Sequence, residues 1–170
     1  MVNIIQKVKN KELKLDIIAI ISNKINPEAF HKAEDFNISV IYLGSKSEEF
    51  EQRLGEFIYE KQIELIILAG FMKILSKEFV RKFPKKIVNI HPSYLPEFPG
   101  LNAQKKAWES QAEKTGVTVH YVDEGVDTGK IIYQERFKID RKLNFDTFTQ
   151  KLLEFEHIIY IKALKKMLNF

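Results

Sequence analysis

Cysteine is missing from this chain of 170 residues. Its absence excludes a disulfide framework and any thiolate metal site, and it fits a reducing compartment. Long apolar runs are missing too: no stretch approaches the ~20 residues that cross a bilayer. At the N-terminus Lys7, Lys9 and Lys11 interrupt what a signal peptide would keep apolar. The expectation is a cytoplasmic protein with no membrane partner. A large excess of one charge is also lacking, since 27 Lys and Arg against 23 Asp and Glu leave +4. The basic residues Lys85-Lys86, Lys105-Lys106 and Lys165-Lys166 cluster only as pairs. They read as solvated faces rather than a nucleic-acid footprint, although a mild positive field favours small anionic substrates. No repeat, linker or low-complexity segment breaks the chain.

The composition, 45% hydrophobic and 29% charged, is that of a folded globule, and the length suits one domain over residues 1–170. Val2, Ile5 and Val8 recur at helical spacing with lysines between them. Leu15 to Ile21 and Leu65 to Ala69 are nearly continuous apolar runs, which predict strands buried on both faces. Between them the pattern predicts a helix over Pro27 to Phe36, a strand over Ser39 to Tyr42 and an amphipathic helix over Glu48 to Lys61. Ser76 has the character of an N-cap, and Ile87 to Ile90 is the next strand. Pro92, Pro96 and Pro99 predict an extended segment after it. A helix over Asn102 to Gln111, strands over Val117 to Val122 and Ile131 to Lys138, and a long helix over Asn144 to Leu168 complete the order. Strands alternating with helices imply an α/β domain, a mostly parallel twisted sheet flanked by helices. Ligands of such sheets lie beyond the carboxyl ends of the strands.

The polar residues at those ends are the ones to weigh. Asn89 and His91 stand two apart at a strand end, so their side chains share a face. A single histidine there is usually a capping or surface residue, but the surrounding prolines fix a loop that a plain connection does not need. Asp123, Glu124 and Asp127 fall in a loop between two strands, and on spacing alone they read as an acidic turn. His120 lies inside a strand, as readily a packed histidine as a contact. His31 reads as a surface residue and His157 as a helix-packing one.

Together, Asn89-Ile90-His91-Pro92-Ser93-Tyr94-Leu95-Pro96, Pro99-Gly100-Leu101 and the run from Gly116 to Gly129 resemble the formyltransferase-domain family. Within it, the glycinamide ribonucleotide formyltransferases match better than their relatives. Leu68 to Leu75 and Glu156 to Tyr160 add to the resemblance, which covers essentially the whole chain. It implies a Rossmann-like domain and transfer of a formyl group from 10-formyltetrahydrofolate to the amine of glycinamide ribonucleotide, in purine synthesis, without a metal. Both partners would be small molecules, and the expected assembly is a monomer or homodimer. Position by position, it implies Asn89, His91 and Asp127 as the catalytic trio. Asn89 and protonated His91 would donate to an oxyanion, and Asp127 would raise the His91 pKa and take the amine proton. Met72, Lys73, Ile74 and Leu75 would form one wall of the folate site with Asn89, and Asp123, Glu124 and Asp127 the other. Gly70 and Glu156 would hold the ribonucleotide, Glu156 through the ribose hydroxyls, beside the plainer reading of a surface glutamate.

The sequence departs from the family at Asn102 (usually His), at Lys130 (usually Pro) and at Lys46-Ser47, where an Arg usually precedes the paired acids. The family also opens with a buried strand and a Gly-x-Gly-Ser-Asn loop, whose backbone N–H groups cradle a phosphate. Met1 to Ile5 match the residues just after that loop. The expectation is therefore an internal methionine or a truncated start, a first central strand absent from the chain, and unpaired backbone along the two apolar strands. Other readings are a folate-binding remnant without turnover, relatives acting on methionyl-tRNA or amino sugars, and a formyltetrahydrofolate hydrolase.

Overall fold

The computed structural model describes residues 1–25, 31, 33 and 35–169. They fall into two compact units, Met1–Leu65 and Ile66–Phe170. In the first unit α1 (Val2–Lys9) turns Ile4 and Ile5 inward, and α2 (Ser47–Glu60) does the same with Phe50, Leu54 and Ile58. In α2 the spacing is the helical one read from the sequence, whereas in α1 only Ile5 of the expected Val2, Ile5 and Val8 is buried. β1 (Ile20–Ser22) and β2 (Val40–Tyr42) pair in parallel, with Ile21 opposite Ile41. The helix expected over Pro27 to Phe36 lies largely outside the described residues.

The second unit holds a four-stranded sheet in the order β3 (Ile66–Ile67), β4 (Ile87–His91), β5 (Lys114–Tyr121), β6 (Ile131–Lys138). β3 and β4 are parallel, while β5 is antiparallel to both β4 and β6. Three of the four strands therefore run the same way. β5 carries the unbroken inner face: residues 115–120 are all buried. Along β4 and β5, Asn89 stands opposite His120 and His91 opposite Thr118, which puts four polar side chains on one face. A register irregularity between Val119 and His120 marks the site end of β5, where bulges commonly re-aim a side chain.

Two expectations need correction. The apolar runs Leu15 to Ile21 and Leu65 to Ala69 form ladders of only three and two residues, and neither is fully buried; Ile18 is 48% exposed. Each run has a ladder partner on one side only among the described residues, and a strand unpaired along one edge keeps that edge accessible. The segment after β4 is not extended. Glu97 N–H donates to the Tyr94 carbonyl, and the Ser93 hydroxyl donates to the Glu97 carbonyl, closing a tight turn.

The helices of this unit are capped as their sequences indicate. Ser76 Oγ accepts from Phe79 N–H at 3.1 Å ahead of α3 (Lys77–Lys82). Asn144 Oδ1 accepts from Thr147 N–H at 2.8 Å ahead of α5 (Phe145–Met167). At the far end of α4 (Ala103–Glu109), Arg141 donates to the carbonyls of Trp108 and Ala112 at 2.7 and 2.6 Å, satisfying groups that the helix leaves open. α5 is bound to the sheet by Leu152, Ile159 and Leu164, all buried, and by stacking of Phe155 on Phe137 with centroids 4.4 Å apart.

Tyr160 of α5 bridges the residue that follows β3 and the first half of β4. Its hydroxyl lies 2.8 Å from the Leu68 carbonyl and 3.1 Å from that of Val88, and burial pushes its pKa up. Val88 O also accepts from Leu68 N–H, so Tyr160→Phe would orphan chiefly Leu68 O. We expect that substitution to cost about 1–3 kcal/mol, read as a lower urea midpoint at unchanged slope. An unchanged midpoint would mean that the hydroxyl is not holding the strands.

Candidate active site

Two loops build the site. The first follows β4, residues 92–102. Phe98 adopts φ 52°, a conformation that costs an aromatic residue of order 1–3 kcal/mol, and its carbonyl meets Nε2 of His91 at 2.9 Å. Asn102, where the family usually has His, stands at φ 59° immediately before α4; asparagine tolerates that region.

The second loop joins β5 to β6. Asp123 Oδ1 accepts from Gly125 N–H at 3.0 Å and from the Thr128 hydroxyl at 2.7 Å, so this carboxylate shapes the loop itself. At the loop's neck, a Cβ on Gly129 would lie 1.8 Å from the Tyr121 carbonyl, so only glycine fits. Asp127 adopts φ 56° between them. Its carboxylate closes the two loops together: Oδ2 accepts from Gly100 N–H at 2.8 Å and lies 3.2 Å from His91 Nδ1, and Oδ1 lies 3.5 Å from His120 Nε2.

An open cleft runs past this junction, and small-molecule sites are concave in the same way. Leu68, Phe71, Ile74, Leu75, Val122 and Val126 make its walls apolar; Asn89, His120 and Asp127 are polar groups of the lining. Of the residues singled out in the sequence, Lys73, Ile74, Leu75, Asn89, Asp123 and Asp127 are brought together here. His91 lies behind Asp127, buried, rather than in the lining. Met72 is 72% exposed and Gly70 is exposed at φ 70°; neither lines the cleft. Glu124 leaves it as well and pairs with Arg81 of α3 at 2.6 Å. Glu156 sits on α5 beside Gln104, 3.5 Å away. His31 and His157 are exposed and outside the lining. Sequence reasoning left His120 undecided and passed over Phe71 and Val122. Pairing of His120 with Asn89 across two strands was the missing information. Among the described residues no cluster of three or more metal-ligating side chains occurs, and no helix is long and apolar enough to cross a membrane.

The protonation balance differs in one respect from expectation. Asp127 does pull the His91 pKa upward, as does the Phe98 carbonyl, but burial outweighs both and leaves it below the ordinary imidazole value. Asp127 is held below the usual carboxylate range, first by His120 and then by the Gly100 N–H and the charge of His91, against its own partial burial. Burial pushes Glu156 up to about 7, with Gln104 opposing.

A family described as formyl transferase matches residues 1–164. The chain is 35% identical over 170 residues to phosphoribosylglycinamide formyltransferase of Bacillus subtilis, covering 98% of this chain and 87% of that one. It is 39% identical over 158 residues to the trifunctional purine biosynthetic protein adenosine-3 of Drosophila melanogaster, covering 91% of this chain but only 12% of the much longer relative. Among solved structures, phosphoribosylglycinamide formyltransferase from Bacillus halodurans superimposes with a TM-score of 0.91 at 36% identity, over 98% of this chain and 88% of that one.

Glu156 offers a test that needs no substrate. A carboxyl raised from 4.5 to about 7 binds its proton more readily in the folded state, so its contribution to stability is full below 4.5 and is lost as pH rises through about 7. We expect the Glu156 side-chain 13C signal to titrate near neutrality, and Glu156→Gln to flatten the fall in stability across that window. A titration at the ordinary glutamate value would place Glu156 in solvent.

Proposed function

The chain belongs to the formyl transferase family, and we propose that it moves the formyl group of 10-formyltetrahydrofolate onto the amine of glycinamide ribonucleotide. One observation carries this reading: Asn89 and Asp127, drawn from a strand end and a loop, converge with a buried histidine at one cleft. The names and high coverage of the relatives support it. The folate would be a substrate rather than a resident group. Its flat ring suits the walls made by Ile74, Leu75, Val122 and Val126, and Asp123 and Asp127 edge the same cleft.

The reaction needs an oxyanion donor and a proton acceptor. The amine lone pair attacks the formyl carbon, the carbonyl π-pair moves onto oxygen, and a tetrahedral centre forms. Asn89 donates its amide hydrogens to that oxygen. His91 joins it when the oxygen replaces the Phe98 carbonyl as the partner of Nε2. Asp127, kept ionised by its donors, takes the proton that the attacking nitrogen sheds. Collapse re-forms the carbonyl, breaks the bond to the folate nitrogen and returns that proton to it. Glu156 and Gln104 stand as candidates for the ribose hydroxyls of the acceptor.

Asn89→Ala, His91→Ala and Asp127→Asn should each lower turnover roughly a hundredfold to a thousandfold with folding retained. The measurement is formyl transfer from 10-formyltetrahydrofolate to glycinamide ribonucleotide. Wild-type turnover in folded Asp127→Asn would remove Asp127 from the chemistry.

A further inference from the structure

Asp127 has one partner that this scheme leaves idle. His120 is 2% exposed, stands opposite Asn89 in the β4–β5 ladder and lines the same cleft. Its Nε2 is buried without a hydrogen bond of normal length, and the group it faces is Oδ1 of Asp127 at 3.5 Å. That is longer than the ~3.2 Å limit of ordinary N–H···O bonds.

Backbone carbonyls fix where the ring protons sit, because a carbonyl accepts and never donates. His120 Nδ1 lies 2.9 Å from the Tyr121 carbonyl, so Nδ1 carries a hydrogen. His91 Nε2 lies 2.9 Å from the Phe98 carbonyl, so Nε2 carries one. When both rings are neutral, the two nitrogens that face Asp127 are bare lone pairs aimed at anionic oxygens. Each contact turns attractive only on binding a further proton. None leaves the cluster at −1 with two repulsive contacts; two give +1. One gives a neutral cluster with an imidazolium against the carboxylate, the cheapest state in a buried place. Lys106 is the other charged group acting on His91, and it opposes a second proton.

We propose that His120 is a positioning residue that shares one proton with His91 across Asp127, so that the carboxylate faces an imidazolium on one side or the other. The proton count belongs to the free protein; its kinetic consequence rests on the formyl-transfer reading. With the shared proton in place the carboxylate is held by the Gly100 N–H and by one imidazolium, and it still accepts the amine proton, which later leaves with the folate nitrogen and restores the starting count.

The test uses the full chain with 15N-labelled histidine, followed from about pH 5 to 8. In the wild type, His91 and His120 should titrate as a coupled pair, each ring moving in two steps and both keeping hydrogen on the carbonyl-facing nitrogen. His120→Gln removes the second proton holder and its opposing charge, so His91 should titrate in one step, displaced upward. In transfer assays, His120→Gln should keep more activity than His120→Phe. The latter should lose roughly tenfold to a hundredfold in kcat, with KM for both substrates within about twofold. The kcat profile of either variant should show a single ionisation on its acid side. A His91 titration unaltered by His120→Gln, or hydrogen on the Asp127-facing nitrogen of both neutral rings, overturns the proposal even if formyl transfer proceeds normally. Coupled titration in a protein that fails to formylate glycinamide ribonucleotide upholds the sharing and refutes the substrate assignment instead.

Discussion

Asp127 Oδ2 accepts the Gly100 N–H at 2.8 Å, and that bond ties the loop after β4 to the loop between β5 and β6. The first loop brings His91 with its Phe98 carbonyl; the second brings the carboxylate itself. The same oxygen lies 3.2 Å from His91, and its twin faces His120. Three groups thus depend on one residue held at φ 56°. Such a conformation persists only where its surroundings over-determine it. Here the Asp123 bonds within the loop and the close approach of Gly129 to Tyr121 do so.

Rigid elements lie behind this junction. Tyr160 ties α5 to β4 and to the residue that follows β3, and the antiparallel pairing of β5 with β4 sets His120 beside Asn89. A polar pair on adjacent strands cannot drift apart without breaking the ladder, whereas a pair on loops could. The strain at Phe98 and Asp127 is therefore carried by a sheet whose central strand β5 is buried along almost its full length. Precise placement of polar groups is what electrostatic stabilisation of a developing oxyanion requires.

Much of this was legible in the residues. Helical spacing placed α1, α2 and α5 within a residue or two of their observed limits, and Ser76 announced its cap. The strands Leu15 to Ile21 and Leu65 to Ala69 were legible as strands but not in extent, because ladder length depends on neighbours that hydrophobicity does not specify. The prolines after β4 signalled a fixed loop, yet its turn comes from Ser93 and Tyr94 bonding to Glu97, which spacing did not reveal. In the site, Asn89 and Asp127 were readable by resemblance. His120 was not, since its meaning comes from a cross-strand register and from which nitrogen a carbonyl occupies. Glu124 read as a wall of the site but turns to Arg81, a partner 43 residues away.

The claim that joins these observations is that the formyl carbon ends on a substrate amine rather than on water. A single turnover with 13C-formyl-labelled folate and 15N-amine-labelled glycinamide ribonucleotide follows that carbon directly. The expected product is a formamide whose 13C signal is split by 15N. Release of the label as free formate, with the amine unmodified, would contradict it.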